Sequence, residues 1–397
     1  MSRSLARRLF GYAIAAGVGL LPVAFQPATA VASSSGMLFA VFSESQVVTL
    51  DPVTGSHTTI ADVGCCLGDL VSYASTHTLY AQRTVFGFPD PTQATYQLVS
   101  INTQTHAVTV SPDMPGQVSL ALDSSSGVLL GLTACCPSQI VRIDPATGAE
   151  TALATLDGTS FTSMAVASST HTLYLASISF DTFPPTEILL AVNTATGIVT
   201  TGPFLTGVIQ LAYDGSAGAL YGKTFCCPAH VVHIDPTTGS ESQVGTAGLD
   251  LGNSLTIDPA THTIYTMQDE LGAFEFDQFV VAINAQTGST TMSAPIPFNG
   301  YIRSLAFEAV AITPDSIKAD VKSALASGGI SNAGVAGALL SELSAAADAR
   351  SRGQCSVAAA GYLAFIKTVS AQSGKTVASA TASQLISEAE FLIANCP

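Results

Sequence analysis

Short runs rich in β-branched and aromatic residues alternate with turn-forming residues from about residue 36 to residue 312. Two kinds of turn recur between these runs, and each predicts a tight connection between antiparallel strands. The first kind has an Asp/Asn-x-x-Thr-Gly centre and occurs in TLDPVTGS (49–56), SINTQTHA (100–107), RIDPATGA (142–149), AVNTATGI (191–198), HIDPTTGS (233–240) and AINAQTGS (282–289). The second kind occurs in LVSYASTHTLYAQ (70–82), LALDSSSGVLLGL (120–132), MAVASSTHTLYLA (164–176), LAYDGSAGALYGK (211–223) and LTIDPATHTIYTM (255–267).

One repeating unit is therefore four antiparallel strands, which we name a, b, c and d. Successive Asp/Asn turn positions lie 51, 42, 49, 42 and 49 residues apart, and a four-stranded repeat of this length is typical of a β-propeller. The segment MLFAVF (37–42) is a strand b without a strand a before it, and RSLAFEAV (303–310) is a strand a without a strand b after it. Together they complete one blade, so we predict a mainly β fold with a six-bladed propeller over residues 36–312.

From Thr313 the chain becomes alanine-rich and apolar residues recur at helical spacing, which predicts a small bundle of helices. Cys355 begins the third predicted helix and Cys396 follows the fourth. Those two helix ends lie side by side in an antiparallel hairpin, so we predict a Cys355–Cys396 disulfide. Closing this 41-residue loop would stabilise the fold by about 4 kcal/mol on the chain-entropy estimate.

Two resemblances accompany these patterns. HIDPTTGS and SLTIDPATHTIYTM resemble the YVTN-type repeat of secreted and periplasmic bacterial propellers, and this likeness extends over residues 36–312. Residues 317–393, with SGGISNAGVAGALLSEL and AAAGYLAFIKTVSAQSGK, look like a FIMAH domain, a helical module of secreted bacterial proteins. The first resemblance implies a propeller and no particular activity, and the second implies no catalytic residue.

The first 30 residues predict a secretory signal peptide. Three arginines precede an apolar run that is broken by Pro22 and ends in Ala28-Thr29-Ala30. Its removal lowers the formal net charge from −15 to −18, a charge that repels nucleic acid. No later run predicts a membrane span. We therefore expect a secreted, extracellular protein with a signal peptide (1–30), a propeller (31–312) and a helical bundle (313–397).

Six of the eight cysteines form adjacent pairs: Cys65-Cys66, Cys135-Cys136 and Cys226-Cys227. The last two pairs fall in b–c connections and the first in a d–a connection, and in a propeller both connections open on the same face. Export favours oxidised cysteines. Four states remain open: vicinal disulfides within each pair, disulfides between pairs, thiolates that bind copper or zinc together with His230, and free buried thiols.

Three long b–c segments, 83–95, 179–187 and 268–278, are predicted to open on this face as well. They bring aromatic and acidic side chains to it: Phe86, Phe88, Asp90, Phe180, Asp181, Phe183, Phe274, Glu275 and Phe276. Aromatic residues beside carboxylates on long connections are typical of a binding surface. The alternative is that the phenylalanines only pack their own loops.

The sequence offers no catalytic motif. It contains neither G-x-S-x-G nor H-E-x-x-H, and the inner strands bring only one carboxylate, Asp69, to the ring formed with Ser119, Ser163, Gln210, Ser254 and Ser304. His77, His171 and His262 recur in a–b turns on the opposite face, where we expect them to serve only the turns.

We therefore predict a non-catalytic propeller with no cofactor and no metal, whose cysteine-bearing face binds an extracellular protein, a glycan or a small apolar ligand. The alternatives are an extracellular propeller enzyme, either lyase-like or quinone-dependent, and a soft-metal binding protein. The absence of tryptophan disfavours the quinone enzyme, because those propellers use tryptophan to dock blades and to stack on the cofactor.

Overall fold

Twenty-four strands form six sheets of four strands each in the computed structural model. It describes residues 36–64, 66–87, 94–134, 137–156, 160–179, 186–224, 229–248, 255–271, 276–296, 300–309 and 312–394. Blade 1 consists of β1 (Gly36–Phe42), β2 (Gln46–Leu50), β3 (His57–Asp62) and β24 (Ile302–Ala309). Blade 2 consists of β4 (Leu67–Tyr73), β5 (Thr78–Phe86), β6 (Ala94–Asn102) and β7 (Val108–Met114).

The other four blades each use four consecutive strands. Blade 3 consists of β8 (Val118–Asp123), β9 (Val128–Thr133), β10 (Gln139–Ile143) and β11 (Glu150–Thr155). Blade 4 consists of β12 (Ser160–Ala167), β13 (Thr172–Ser179), β14 (Thr186–Asn193) and β15 (Val199–Leu205). Blade 5 consists of β16 (Val208–Asp214), β17 (Ala219–Thr224), β18 (Ala229–Ile234) and β19 (Glu241–Ala247). Blade 6 consists of β20 (Leu255–Asp258), β21 (Thr263–Leu271), β22 (Phe276–Asn284) and β23 (Thr290–Met292).

Blade 1 closes the propeller by joining the two ends of the strand region. Strand β1 pairs antiparallel with β24, from Gly36 opposite Ala309 to Phe42 opposite Ile302. The inner strands β24, β4, β8, β12, β16 and β20 contact one another in a closed ring. The predicted mainly β fold with six blades, including the shared blade, is therefore confirmed.

The c–d turns show why the Asp/Asn-x-x-Thr-Gly pattern recurs. The Asp51 carboxylate accepts the backbone N–H groups of Val53 and Thr54 at 2.8 and 3.0 Å, and Gly55 takes a left-handed φ of 67°. Blade 2 uses His106 at the glycine position, with φ 59°. The side chain before the turn replaces missing backbone partners, and the fourth residue after it must tolerate positive φ.

Each seam between neighbouring blades contains its own apolar cluster. At the closing seam, Leu38 and Val48 of blade 1 pack with Met267 and Val280 of blade 6, and the rings of Tyr265 and Phe307 stack at 5.8 Å. The other five seams contain equivalent clusters. The hydrophobic core is thus divided into sectors, and each blade depends on both neighbours to bury its two faces.

The long b–c segments are less irregular than the sequence indicates. Strands β5 and β6 continue their pairing out to Phe86 opposite Ala94, and β21 and β22 continue to Leu271 opposite Phe276. The interpretation of residues 83–95 and 268–278 as loops throughout is therefore wrong. Ordinary strand pairing carries the hairpins beyond the rim of the blade, because alternating residues there satisfy their backbone groups across the hairpin.

Four helices follow the last strand: α1 (Pro314–Ser327), α2 (Ala333–Ser351), α3 (Cys355–Gln372) and α4 (Ser379–Ala394). A capping box between Thr313 and Ser316 begins α1, and the helices share one core that includes the fully buried Leu339, Tyr362 and Phe365. This confirms helices after residue 312, whereas the division into separate domains stays a prediction. Among the described helices, none is long and apolar enough to span a membrane.

A carboxyl group of helix α4 interacts electrostatically with blade 6. Glu388 of α4 is buried. Burial, together with the carboxylates of Asp320 and Asp258, raises the pKa of Glu388 to about 8. Asp258 ends β20, where the chain enters an a–b turn. The Glu388 carboxyl group of α4 therefore lies within electrostatic range of the a–b turn of blade 6.

Candidate functional site

A large cavity opens on the face where the b–c and d–a connections emerge. Its volume is about 1050 Å³, and its lining comes from blades 1, 2, 3 and 6. Cys66, in the d–a connection between β3 and β4, forms part of the wall. Small-molecule sites typically enclose roughly 300–1000 Å³, so the cavity is large enough for an organic ligand or an inserted side chain.

Aromatic rings form part of the cavity wall. Phe86 at the tip of β5 is 56% exposed and Tyr301, just before β24, is 44% exposed. Tyr96 of β6 is half-buried beside them. Large exposed rings cost free energy in water, and here two exposed rings and one half-buried ring line one concave surface, where a ligand would cover them.

Charged groups line the same cavity. Arg303 donates from Nη1 to the Glu44 Oε1 at 2.7 Å, and both side chains are partly exposed. Asp269 accepts the Gln278 Nε2 at 2.7 Å. These contacts fix the orientation of each polar group around the rim.

Asp69 is the innermost carboxyl group of the cavity wall. Burial raises its pKa, while a hydrogen bond from Ser119 and the nearby charge of Arg303 oppose that shift. Asp69 and Ser119 line both the outer cavity and a second cavity of about 340 Å³ along the axis of the propeller. The carboxyl group thus marks the junction between the two spaces.

Two amide side chains, one of them buried, hold the wall across two seams. The Gln278 Oε1 of blade 6 accepts the Ile302 N–H of blade 1 at 2.6 Å. The Gln82 Oε1 of blade 2 accepts the Val118 N–H of blade 3 at 2.9 Å, and its Nε2 donates to the Gly116 carbonyl at 2.9 Å. These bonds satisfy backbone groups at the blade edges, so the cavity has a rigid frame.

The axial cavity is polar but poor in charge. It is lined by the predicted inner ring of Asp69, Ser119, Ser163, Gln210 and Ser304, whereas Ser254 lies outside the described residues. The Ser304 Oγ accepts the Leu70 N–H at 3.0 Å and the Ser163 Oγ accepts the Leu211 N–H at 2.9 Å. These hydroxyls join neighbouring blades, which accounts for serine at these positions.

The cavity contains two of the predicted binding residues, Cys66 and Phe86. His230 lies in β18, its Nδ1 is buried without a hydrogen-bond partner among the described residues, and it does not line either cavity. Phe276 begins β22. The remaining predicted residues lie outside the described residues: Cys65, Cys135, Cys136, Cys226, Cys227, Phe88, Asp90, Phe180, Asp181, Phe183, Phe274 and Glu275.

Cys66 and Cys355 are the two cysteines within the described residues, and both are disulfide-bonded. Their partners are not among the described residues. Which cysteines pair, including the predicted Cys355–Cys396 bridge, therefore stays a prediction.

Sequence reasoning missed most of the cavity wall. Glu44 and Tyr301 lie more than 250 residues apart in the chain, and both reach the cavity because blade closure brings the two chain ends together. The sequence did distinguish Asp69, since it is the only acidic residue in an otherwise uncharged inner ring.

The three repeated histidines form a second set of contacts on the opposite face. The Nδ1 atoms of His77, His171 and His262 lie 2.7, 2.7 and 2.6 Å from carboxylate oxygens of the preceding blade. Their partners are Glu308, Asp123 and Asp214, all of them buried. The histidines do occupy left-handed turn positions, with φ of 51°, 50° and 53°. The expectation that they serve only the turns is wrong, because each one also links two blades.

These histidines do not form a nucleophilic triad. The Ser125 Oγ lies 3.4 Å from the His171 Nδ1, the same nitrogen that contacts Asp123. A triad needs the nucleophile and the carboxylate on different ring nitrogens. Within the described residues, no group of three or more His, Cys, Asp or Glu side chains is arranged to hold a metal ion.

Comparisons with known proteins bear on the fold. No family model matches the chain, and no curated protein matches it. A chain in the crystal structure of a nidogen/laminin complex is similar, with a TM-score of 0.53 and 9% identity over 69% of this chain and 98% of that chain. TolB from Acinetobacter baumannii is similar with a TM-score of 0.52 and 11% identity over 69% of this chain and 66% of that chain. At this identity the likeness supports the six-bladed β-propeller fold and nothing finer.

Proposed function

We propose that this protein is a secreted, non-catalytic binding protein that captures its ligand in the cavity on the cysteine-bearing face. The observation that carries the proposal is the cavity of about 1050 Å³ with exposed aromatic rings and fixed polar groups in its wall. A concave site with apolar rings and a few oriented polar groups is the usual form of a ligand pocket.

The fold supports a binding role. One similar propeller comes from a nidogen/laminin complex, which is an assembly between proteins. The rigid blade seams of the present chain would keep a binding surface in one shape, and preorganisation of that kind lowers the entropic cost of association.

The adjacent cysteines belong to the same proposal. We expect Cys65-Cys66, Cys135-Cys136 and Cys226-Cys227 to form vicinal disulfides that stiffen the rim of the binding face. Intact-mass and peptide mapping of the exported protein, without reduction, would locate signal cleavage and every disulfide. Six thiols that react with an alkylating reagent, or disulfides between different pairs, would contradict this part of the proposal.

The cavity itself is tested with small aromatic probes. Saturation-transfer NMR would be recorded with 2-phenylethylamine, 2-phenylethanol and phenylacetate. We expect transfer from the wild type to at least one probe and its loss in the Phe86→Ala/Tyr301→Ala double variant.

The matched control is Phe204→Ala. Phe204 is 69% exposed on β15 and does not line either cavity, so its removal should leave the signals unchanged. Equal transfer in the double variant, or no transfer from any probe to the wild type, would contradict a ligand site in this cavity.

A further inference from the structure

We propose that the outer cavity binds the neutral pyranose ring of a glycoside, with one face of the sugar on the aromatic rings and its hydroxyl groups on the polar wall. This inference rests on the proposed function, since it assigns a ligand class to the same cavity. Two features of the wall carry it: charged groups that are bound to one another, and exposed aromatic rings.

The charged groups of the wall already have partners within the wall. Arg303 forms an ion pair with Glu44 at 2.7 Å, and the Tyr301 hydroxyl is hydrogen-bonded to both of these side chains. Asp69 lies within electrostatic range of Arg303 and accepts a hydrogen bond from Ser119. A charged ligand would have to displace a partner from one of these contacts, whereas a neutral ligand leaves them intact. The wall therefore favours an uncharged ligand.

Paired groups of this kind still bind hydroxyl groups. A guanidinium has five N–H donors and a carboxylate has about four acceptor sites, so the contact between Arg303 and Glu44 at 2.7 Å uses only part of their capacity. Both side chains are partly exposed and line the cavity. Each sugar hydroxyl donates and accepts, so two neighbouring hydroxyl groups of one ring suit a place where a donor and an acceptor stand side by side.

Neutral polar groups extend this surface. Gln117 and Ser119 of the blade 3 part of the wall are exposed, and Thr84 of β5 also lines the cavity. Gln82 and Gln278, by contrast, bind backbone groups across the seams and serve to shape the wall. A few oriented amide and hydroxyl groups in a concave site are what fixes the orientation of an uncharged ligand.

Aromatic rings supply the apolar side of the recognition. Phe86 and Tyr301 are exposed, and the half-buried Tyr96 lines the same cavity. One face of a pyranose ring presents C–H groups, which pack on the negative face of an aromatic ring and remove apolar surface from water. A purely apolar ligand would cover the rings and leave the polar groups of the wall desolvated. A sugar ring satisfies both parts of the wall.

The test compares aryl glycosides with an aromatic alcohol that lacks the sugar. Dissociation constants would be measured by NMR titration at pH 7.5 for phenyl β-D-glucopyranoside, phenyl β-D-galactopyranoside, phenyl α-D-mannopyranoside and 2-phenylethanol. We expect at least one glycoside to bind about ten-fold more tightly than the alcohol, the effect of one or two added hydrogen bonds. The anionic phenyl β-D-glucuronide should bind more weakly than the neutral glycosides, because the formal net charge of the chain is −15.

Two variants separate the polar groups from the rings. Tyr301→Phe keeps the aromatic ring and removes the hydroxyl, and Gln117→Ala removes an exposed amide. Each should lower the ratio of glycoside to alcohol affinity about three- to five-fold. The matched control is Gln243→Ala, which removes an exposed glutamine of β19 outside both cavities and should leave the ratio unchanged.

The outcomes separate this inference from the proposed function. Binding of 2-phenylethanol at least as tight as that of every glycoside, lost in Phe86→Ala/Tyr301→Ala, would overturn the sugar assignment and leave the ligand site in place. Tightest binding of the glucuronide, or a ratio unchanged in both polar variants, would also overturn it. Absence of binding by every probe would overturn both proposals. A variant is compared only if its melting temperature matches that of the wild type, and the comparison of probes on the wild type needs no variant.

Discussion

Replacement of His262 by asparagine should weaken the seam between blades 5 and 6 in a pH-dependent manner. The His262 Nδ1 lies 2.6 Å from the Asp214 Oδ2, and Asp214 is fully buried. Asparagine tolerates the left-handed φ of 53° at this position, so the variant keeps the turn and removes the ring. The shorter side chain leaves Asp214 with the bonds from Ser216 and Ala217 only.

The pH dependence follows from both partners. The hydrogen bond to Asp214 raises the pKa of His262, although burial opposes this. Burial alone would raise the pKa of Asp214, but the bonds from His262, Ser216 and Ala217 outweigh it and the net pKa is lowered. The histidine contribution is therefore complete below about pH 6.5 and is lost as the pH rises through the raised pKa. The aspartate contribution is present above about pH 3.8 and is lost in acid.

The pair should thus contribute most between about pH 4 and 6.5. A hydrogen bond between charged groups contributes roughly 1.5–3 kcal/mol and one with a neutral partner about 1 kcal/mol. We expect His262→Asn to lower the free energy of unfolding by about 2 kcal/mol at pH 5.5 and by about 1 kcal/mol at pH 8.5. In a propeller of this size that corresponds to melting-temperature losses of about 4 and 2 °C.

Differential scanning calorimetry at the two pH values would measure these losses against the wild type. The matched control is His106→Asn, which alters another left-handed histidine, with φ 59°, in an exposed turn. It should change the melting temperature by less than 1 °C at either pH, since a surface substitution of this kind costs at most about 0.5 kcal/mol. An equal loss for His262→Asn at both pH values, or a loss no larger than that of the control, would refute the reasoning.

Three further predictions concern the helices and the closing strand. Glu388→Gln should raise the melting temperature at pH 8.5 and leave it unchanged at pH 4. The reason is that a carboxyl group whose pKa is raised to about 8 destabilises the fold as the pH rises from about 4.5 to 8. The control Glu390→Gln, at an exposed position of the same helix, should leave the melting temperature unchanged at both pH values. The Cys355→Ser/Cys396→Ser variant should unfold more easily by up to about 4 kcal/mol in denaturant titrations, and an unchanged midpoint would mean that no bridge between them stabilises the helices. Phe39→Ala, in the fully buried core of β1, should cost about 3–5 kcal/mol and broaden or lower the unfolding transition, whereas a loss below 1 kcal/mol would contradict the role assigned to blade closure.

The sequence by itself determined the number of blades and the positions of the helices. Strands and turns are local features, so the repeated turns at Asp51 and its equivalents and the half-blades at the two ends of the strand region sufficed to predict six blades. The change to alanine-rich sequence at helical spacing from Thr313 likewise indicated where the helices begin. These elements follow from alternation, turn chemistry and helical spacing, which act over a few residues.

Only the tertiary structure decided which side chains meet. The cavity combines residues from four blades, including Glu44 and Arg303, which are 259 residues apart in the chain and form an ion pair at 2.7 Å. His77 pairs with Glu308 across 231 residues. A repeat pattern specifies the strands and turns of each blade. It does not specify which residues meet at the seams between blades or in the cavity wall, because those contacts depend on the closure of the ring and on the rotation of one blade against the next.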